Sequence, residues 1–166
     1  MYKSKFMEDV QLNFNPDKKI IFLKNKCYKY RKRNKALYIL IWLIYSHYCV
    51  KYGVQIPAKV KIGEGFRIVH WGGIVINEYA VLGKNVKVLN GVLIGAESRG
   101  KRKGVPIIGD NVWIGSKATI VGNVKIGNNV LIASNSFVNF SVPDNSVVIG
   151  NPGKIIRKDN ATEGYC

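Results

Sequence analysis

From Gly53 onward, one small aliphatic residue returns at every sixth position. The series runs Ile56, Ile62, Ile68, then Ile76, Leu82, Val88, Ile94, then Ile108, Ile114, Ile120, Ile126, Ile132, Val138. Four residues after most of these stands a second small residue: Val60, Ala80, Val86, Val92, Val112, Ala118, Val124, Val130, Ser136 and Val142. Glycine often follows the aliphatic directly, as at Gly63, Gly83, Gly95, Gly109, Gly115 and Gly127. A period of six is neither the 3.6 of a helix nor the alternation of a strand. Sustained over some 90 residues, it predicts a solenoid in which one short strand and one turn make each flat face. Three such units close a triangular coil, and stacked coils share one apolar core.

The first 52 residues follow a different pattern. "KALYILIWLIYSHYCVKYG" has neither proline nor internal glycine, and Gly53 is a natural stop. It predicts a helix, uncharged from Ala36 to Val50, a run of 15 residues. That is short of the roughly 20 needed to cross a bilayer. Residues 1–52 therefore read as a basic helical segment, 53–157 as the solenoid, and 158–166 as a polar tail. His47, inside the helix, reads as a structural histidine.

Charge changes the picture of that segment. The chain carries a net +16, and residues 1–61 hold 14 of the 26 Lys and Arg against three acids, Glu8, Asp9 and Asp17. A solvated basic face and an anionic surface at the inner side of the membrane both fit this distribution. No recognised nucleic-acid motif accompanies the charge, so nucleic acid is not expected as a partner. Cys27, Cys49 and Cys166 lack paired spacing, and the N-terminus is polar; both point to a cytoplasmic protein. Two histidines, one of them helical, cannot supply a three-histidine zinc site, and no metal is expected.

The repeat breaks twice. From Ile68 to Ile76 the step is eight, and the surplus falls in "VHWGGIVI", around His70. From Ile94 to Ile108 it is fourteen, which makes a basic, glycine-rich loop, "AESRGKRKGVP". Insertions in solenoids map to loops on the binding face. A structural histidine would replace an inward aliphatic without disturbing the count. His70 instead sits in an irregular turn, which makes it the candidate functional residue.

The six-residue repeat from Gly53 to Arg157, the segment "HWGGIVIN" and the ending "VPDNSVVIGNPGKII" together resemble the hexapeptide-repeat acyltransferases, in particular their serine acetyltransferase-like branch and its sugar and polysaccharide O-acetyltransferases. The resemblance implies a left-handed parallel β-helix, a homotrimer with sites between subunits, and acetyl-CoA as co-substrate. It implies His70 as general base: its imidazole takes the acceptor hydroxyl's proton as the oxygen attacks the thioester. Gln55 stands where the serine-specific relatives carry a carboxylate that orients the ring. Gly95, Ser116, Ala133 and Ser134 match turn positions along which the pantetheine arm lies. Lys154 and Arg157, or Lys101, Arg102 and Lys103, are placed to meet phosphates.

The acceptor is the least determined element. The relatives' aspartate before the histidine is Val69 here, and the pair before the loop-ending proline is Gly104 and Val105. Free serine is therefore not expected. Trp71 offers a flat apolar face to a pyranose ring. The main expectation is a sugar hydroxyl of a cell-surface polysaccharide or its precursor. The alternatives are a serine acetyltransferase-like enzyme for another small acceptor, and a non-catalytic scaffold or binding subunit.

Overall fold

A computed structural model describes residues 16–166. The first 15 residues of the expected helical segment, with Glu8 and Asp9, lie outside the described residues. Two helices open the described chain, α1 (Pro16–Tyr30) and α2 (Lys35–Tyr52). The single helix read from the sequence ends its first arm at Tyr30, because Asn34 caps a new one: its side chain accepts from the Leu37 N–H at 3.0 Å. Gly53 ends α2 in the left-handed conformation, φ 63°, and its N–H returns to the Cys49 and Val50 carbonyls.

Fourteen short strands then wind about five turns of a parallel β-solenoid, and a fifteenth folds back. The first face holds β1 (Val54–Gln55), β4 (Ile74–Ile76), β7 (Leu93–Gly95), β10 (Thr119–Val121) and β13 (Phe137–Val138). The second holds β2 (Lys61–Ile62), β5 (Val81–Leu82), β8 (Ile107–Ile108) and β11 (Lys125–Ile126). The third holds β3 (Arg67–Ile68), β6 (Lys87–Val88), β9 (Val112–Ile114), β12 (Val130–Ile132) and β14 (Ser146–Ile149), closed by antiparallel β15 (Lys154–Arg157). The register stacks the six-residue series on itself: Ile68, Val88, Ile114 and Ile132 align on the third face, and Ile76, Ile94, Ile120 and Val138 on the first.

Those aliphatics fill the interior. Except for half-buried Ile62, every member of the series and every second small residue is buried, Ser136 included. Ser136 is satisfied there by the Val148 carbonyl and the Gly150 N–H. Glycine after the aliphatic has a packing reason: a Cβ on Gly83 would stand 2.6 Å from the Gly109 carbonyl oxygen of the next coil.

The helical pair is fastened to the first coil. Buried Asp17 pairs with Arg67 of β3 at 2.6 Å. The buried Tyr45 hydroxyl donates to the Ile56 carbonyl. The tail 158–166 lies back on the third face: the Thr162 hydroxyl and N–H reach Asn129 Oδ1, and Tyr165 packs on Trp113.

Candidate functional site

The ladder of backbone bonds identifies the two surplus residues of the first break. Val69 N donates to Val88 O, which aligns Val69 with Leu89 of the coil below. Gly91 N donates to Gly72 O, which aligns Gly72 with Asn90. Leu89 and Asn90 are consecutive, whereas Val69 and Gly72 are separated by two residues. The inserted pair is His70 and Trp71. Gly72 and Gly73, at φ 103° and 68°, return the chain to β4 after the bulge.

Neighbouring aromatics support the bulge from the helix side. Trp71 leans on Tyr52 of α2, ring centroids 4.8 Å apart, Tyr52 stacks on Tyr48, and Lys19 Nζ lies over the Tyr48 ring, 4.5 Å from its centroid. The cap of α2 touches the bulge as well, since a Cβ on Gly53 would meet Gly72 Cα at 3.2 Å. His70 itself is exposed, and no described residue hydrogen-bonds its ring. An exposed imidazole on a supported bulge can exchange a proton with a bound hydroxyl.

The corner below His70 carries other expected residues. Lys117 N donates to Asn90 O, and Asn135 N to Ser116 O, so Asn90, Ser116 and Ser134 follow one another down the third-to-first corner. At about 4.8 Å per coil, they descend to roughly 14 Å below the bulge. Ser116 Oγ donates to Asn90 Oδ1 at 2.8 Å, and Ala133 precedes Ser134 in the same turn. Asn90 and Tyr52 were missed in the sequence reading. Aligning the coils would have put Asn90 in the column of Ser116 and Ser134; nothing local marked Tyr52.

Other expected residues stand apart. Gly95 lies at the far edge of the first face, beside Val121. Lys154 is exposed on β15, and Arg157 donates to the Asp144 carbonyl at 2.9 Å. Gln55 heads the row Gln55, Val75, Leu93, Thr119, Phe137 across the first face, with no hydrogen bond to His70. The second break forms a hairpin, Glu97 pairing with Gly104, that folds over the next coil through Asn123 N to Arg102 O. The two breaks therefore flank the same face, one at each edge.

Beside that face, a cleft of about 510 Å³ runs between α2 and β1, lined by Tyr45, Cys49, Gln55 and Ile74 among others. Burial raises both the Tyr45 hydroxyl and the Cys49 thiol above their ordinary pKa values. A thiol shifted in that direction is a poor nucleophile, so this cleft offers no covalent catalyst to rival the imidazole.

Comparison with known proteins identifies the repeat. Residues 106–139 match the model of the bacterial transferase hexapeptide, six repeats. The chain is a hexapeptide-repeat solenoid. It is 42% identical over 112 residues to serine acetyltransferase of Staphylococcus aureus (strain Mu50), an alignment covering 68% of this chain and 53% of that protein. The crystal structure of Neisseria gonorrhoeae serine acetyltransferase superposes with a TM-score of 0.75 at 32% identity, covering 91% of this chain and 58% of that one. A serine acetyltransferase solved in complex with CoA superposes at 0.69 and 29% identity, over 82% of this chain and 55% of that one. The chain thus spans about half the length of the curated relative it matches.

Proposed function

We propose that the chain is an acetyl-CoA-dependent O-acetyltransferase of the serine acetyltransferase kind, acting on a small hydroxylated acceptor. One observation carries the reading: the residue pair inserted into an otherwise regular coil presents His70, exposed, at the head of the corner that bears Asn90, Ser116 and Ser134. His70 takes the acceptor's proton as its oxygen attacks the thioester carbonyl; the C–S bond breaks and CoA leaves as the thiol. Backbone N–H groups near the thioester are the available donors for the developing oxyanion. Similarity to a serine acetyltransferase solved with CoA supports acetyl-CoA as donor.

The first face, flanked by both breaks, is suited to a pantetheine arm laid between two subunits, with a homotrimer as the assembly. The basic hairpin at its far edge, bearing Arg99, Lys101, Arg102 and Lys103, suits the nucleotide phosphates of a site completed by a neighbouring copy. With Gln55 unbonded to the ring, a carbonyl or side chain from that copy is the better candidate for orienting His70.

A saccharide acceptor, the sequence expectation, draws no support from the relatives. Its platform is also partly occupied, since Trp71 leans on Tyr52. The small-acceptor reading is the better supported of the two. Val69, Gly104 and Val105 still stand where serine-specific relatives carry acceptor-binding groups, so the assay must extend beyond serine. Purified protein with acetyl-CoA would be offered serine, other small hydroxyl compounds, amino sugars, nucleotide sugars and a polysaccharide extract, with thiol release followed and products weighed. Acetylation of a small hydroxyl compound by wild type and by His47→Ala, and its loss in His70→Ala, is the expected outcome. Turnover of the polysaccharide alone would overturn the acceptor, and an active His70→Ala would overturn the mechanism.

A further inference from the structure

The helical pair carries a surface that acyl transfer does not use. α2 packs one face on the first coil and α1, through Tyr38, Ile41, Tyr45, Tyr48 and Tyr52. Its opposite face is apolar too: Ile39, Leu40, Trp42, Leu43, Ile44 and Val50 are exposed, Leu40 by 57%, Leu43 by 54% and Val50 by 83%. Ile39, Leu43 and Val50 share one side of α2 at helical spacing, with half-buried Ser46 and exposed His47 at the turn between Leu43 and Val50. Six exposed large apolar side chains on one helix mark a contact with another apolar phase or protein. α2 does not enter such a phase as a span, because no helix among the described residues is long and apolar enough to cross a membrane.

Charge decides between the occupants. From Lys18 to Gly63 the sequence holds 12 Lys and Arg and no acid. Just before α2, a cleft of about 800 Å³ is lined by Lys29, Arg31, Lys32, Arg33, Lys59 and Lys61. Its one carboxylate, Glu78, is already paired with Lys59 at 2.9 Å. A second copy docked on this face would bring a like-charged surface against it, which opposes association. An anionic lipid surface satisfies both features at once: headgroup phosphates meet the cationic cleft, and the apolar side chains one turn further along α2 enter the acyl boundary.

We infer that α2 and the basic turn before it form a docking surface for an anionic membrane, with α2 lying in the plane of the interface. This goes beyond the acyl-transfer reading and stands or falls separately from it. The test is co-sedimentation of the full chain with vesicles of phosphatidylcholine alone or mixed with phosphatidylglycerol. Binding to the anionic vesicles only is expected, with a blue shift in tryptophan emission that Trp42→Phe removes. Replacing Arg31, Lys32 and Arg33 together by Ala should weaken binding by about 5-fold per cation, on the order of 10²-fold in all. Leu43→Glu should weaken it roughly 10- to 100-fold with circular dichroism unchanged.

Absence of sedimentation with anionic vesicles at low salt would overturn the inference. So would binding that Leu43→Glu leaves intact, which would be plain electrostatic adsorption. A Leu43→Glu protein that dissociates from a larger assembly, by light scattering, while neither form binds vesicles would assign the face to a second copy instead.

Discussion

Two corners of the same solenoid are built under opposite constraints. The corner between the second and third faces repeats one solution: Gly65, Asn85, Asn111, Asn129 and Asn145 all take the left-handed conformation. Each Asn N–H bonds the coil above, and side chains ladder as well, Asn85 to Asn111 at 3.0 Å and Asn129 to Asn145 at 2.7 Å. The corner between the third and first faces keeps the same backbone ladder and the same left-handed turn, but its turn residue changes coil by coil, Gly73, Gly91, Lys117 and Asn135, and the His70–Trp71 bulge is set into its first coil. Where only the turn must be made, one residue type recurs. Where the type varies over an unchanged backbone, the side chains serve something other than the turn.

The largest effect expected from this contrast is at His70. His70→Ala should lower turnover by about 10² to 10⁴, equivalent to roughly 3–5 kcal/mol of barrier. Because the ring is exposed and no described residue hydrogen-bonds it, the variant's thermal midpoint should match wild type. A destabilised variant would show that the bulge is part of the fold's support, and the contrast between the corners would lose its basis. Deleting His70 and Trp71 together sharpens the point: the six-residue step is restored, and the expected product is a folded, inactive solenoid.

Second comes the core on which both corners rest. Ile120 is fully buried on the first face. Ile120→Ala should destabilise by about 2–5 kcal/mol through lost burial and a residual cavity. Chemical denaturation measures this, and a loss below about 1 kcal/mol would mean that the stacked series is not the main source of stability.

The inward residues could be read from the sequence because a solenoid core depends on local spacing alone. Ile74 escaped the series although it is fully buried, since the bulge shifts its count by two from Ile68. The bulge was legible as a surplus but not as His70 and Trp71, because only the hydrogen-bond register shows which pair has no counterpart. The stacking of Trp71 on Tyr52 depends on how α2 meets the first coil, and no periodicity carries that. The break between the helices was marked by Asn34, a good N-cap, but the apolar run after it was read as continuous with the basic run before it. The second break's length was legible, though its folding over Asn123 was not.

Third, the uniform corner can be probed at Asn111, which sits at φ 53°. Asn111→Ala forces an ordinary side chain into the left-handed region and removes the acceptor for Asn85, at an expected cost of about 1–2 kcal/mol. Asn111→Gly relieves the backbone and should recover more than half of that loss. Equal losses in the two variants would place the contribution in the side-chain ladder instead of the turn. Turnover should be untouched in both, which separates this corner from the other.

The smallest effect lies at Ser116, two coils below the bulge. Its hydroxyl donates to Asn90 Oδ1 at 2.8 Å, half-buried, and a bond of this kind contributes about 0.5–1.5 kcal/mol to stability. Ser116→Ala removes that bond whatever the site does, so a modest fall in thermal midpoint is expected on any reading and decides nothing. The kinetics do decide. If this corner guides the pantetheine arm, the loss of a polar group or a shift of Asn90 should raise KM for acetyl-CoA several-fold and leave kcat nearly constant. That is the signature of binding shared equally by ground and transition states. A stability loss with KM unchanged would make Ser116 a turn residue like Asn111, and would confine the functional variation of this corner to the bulge.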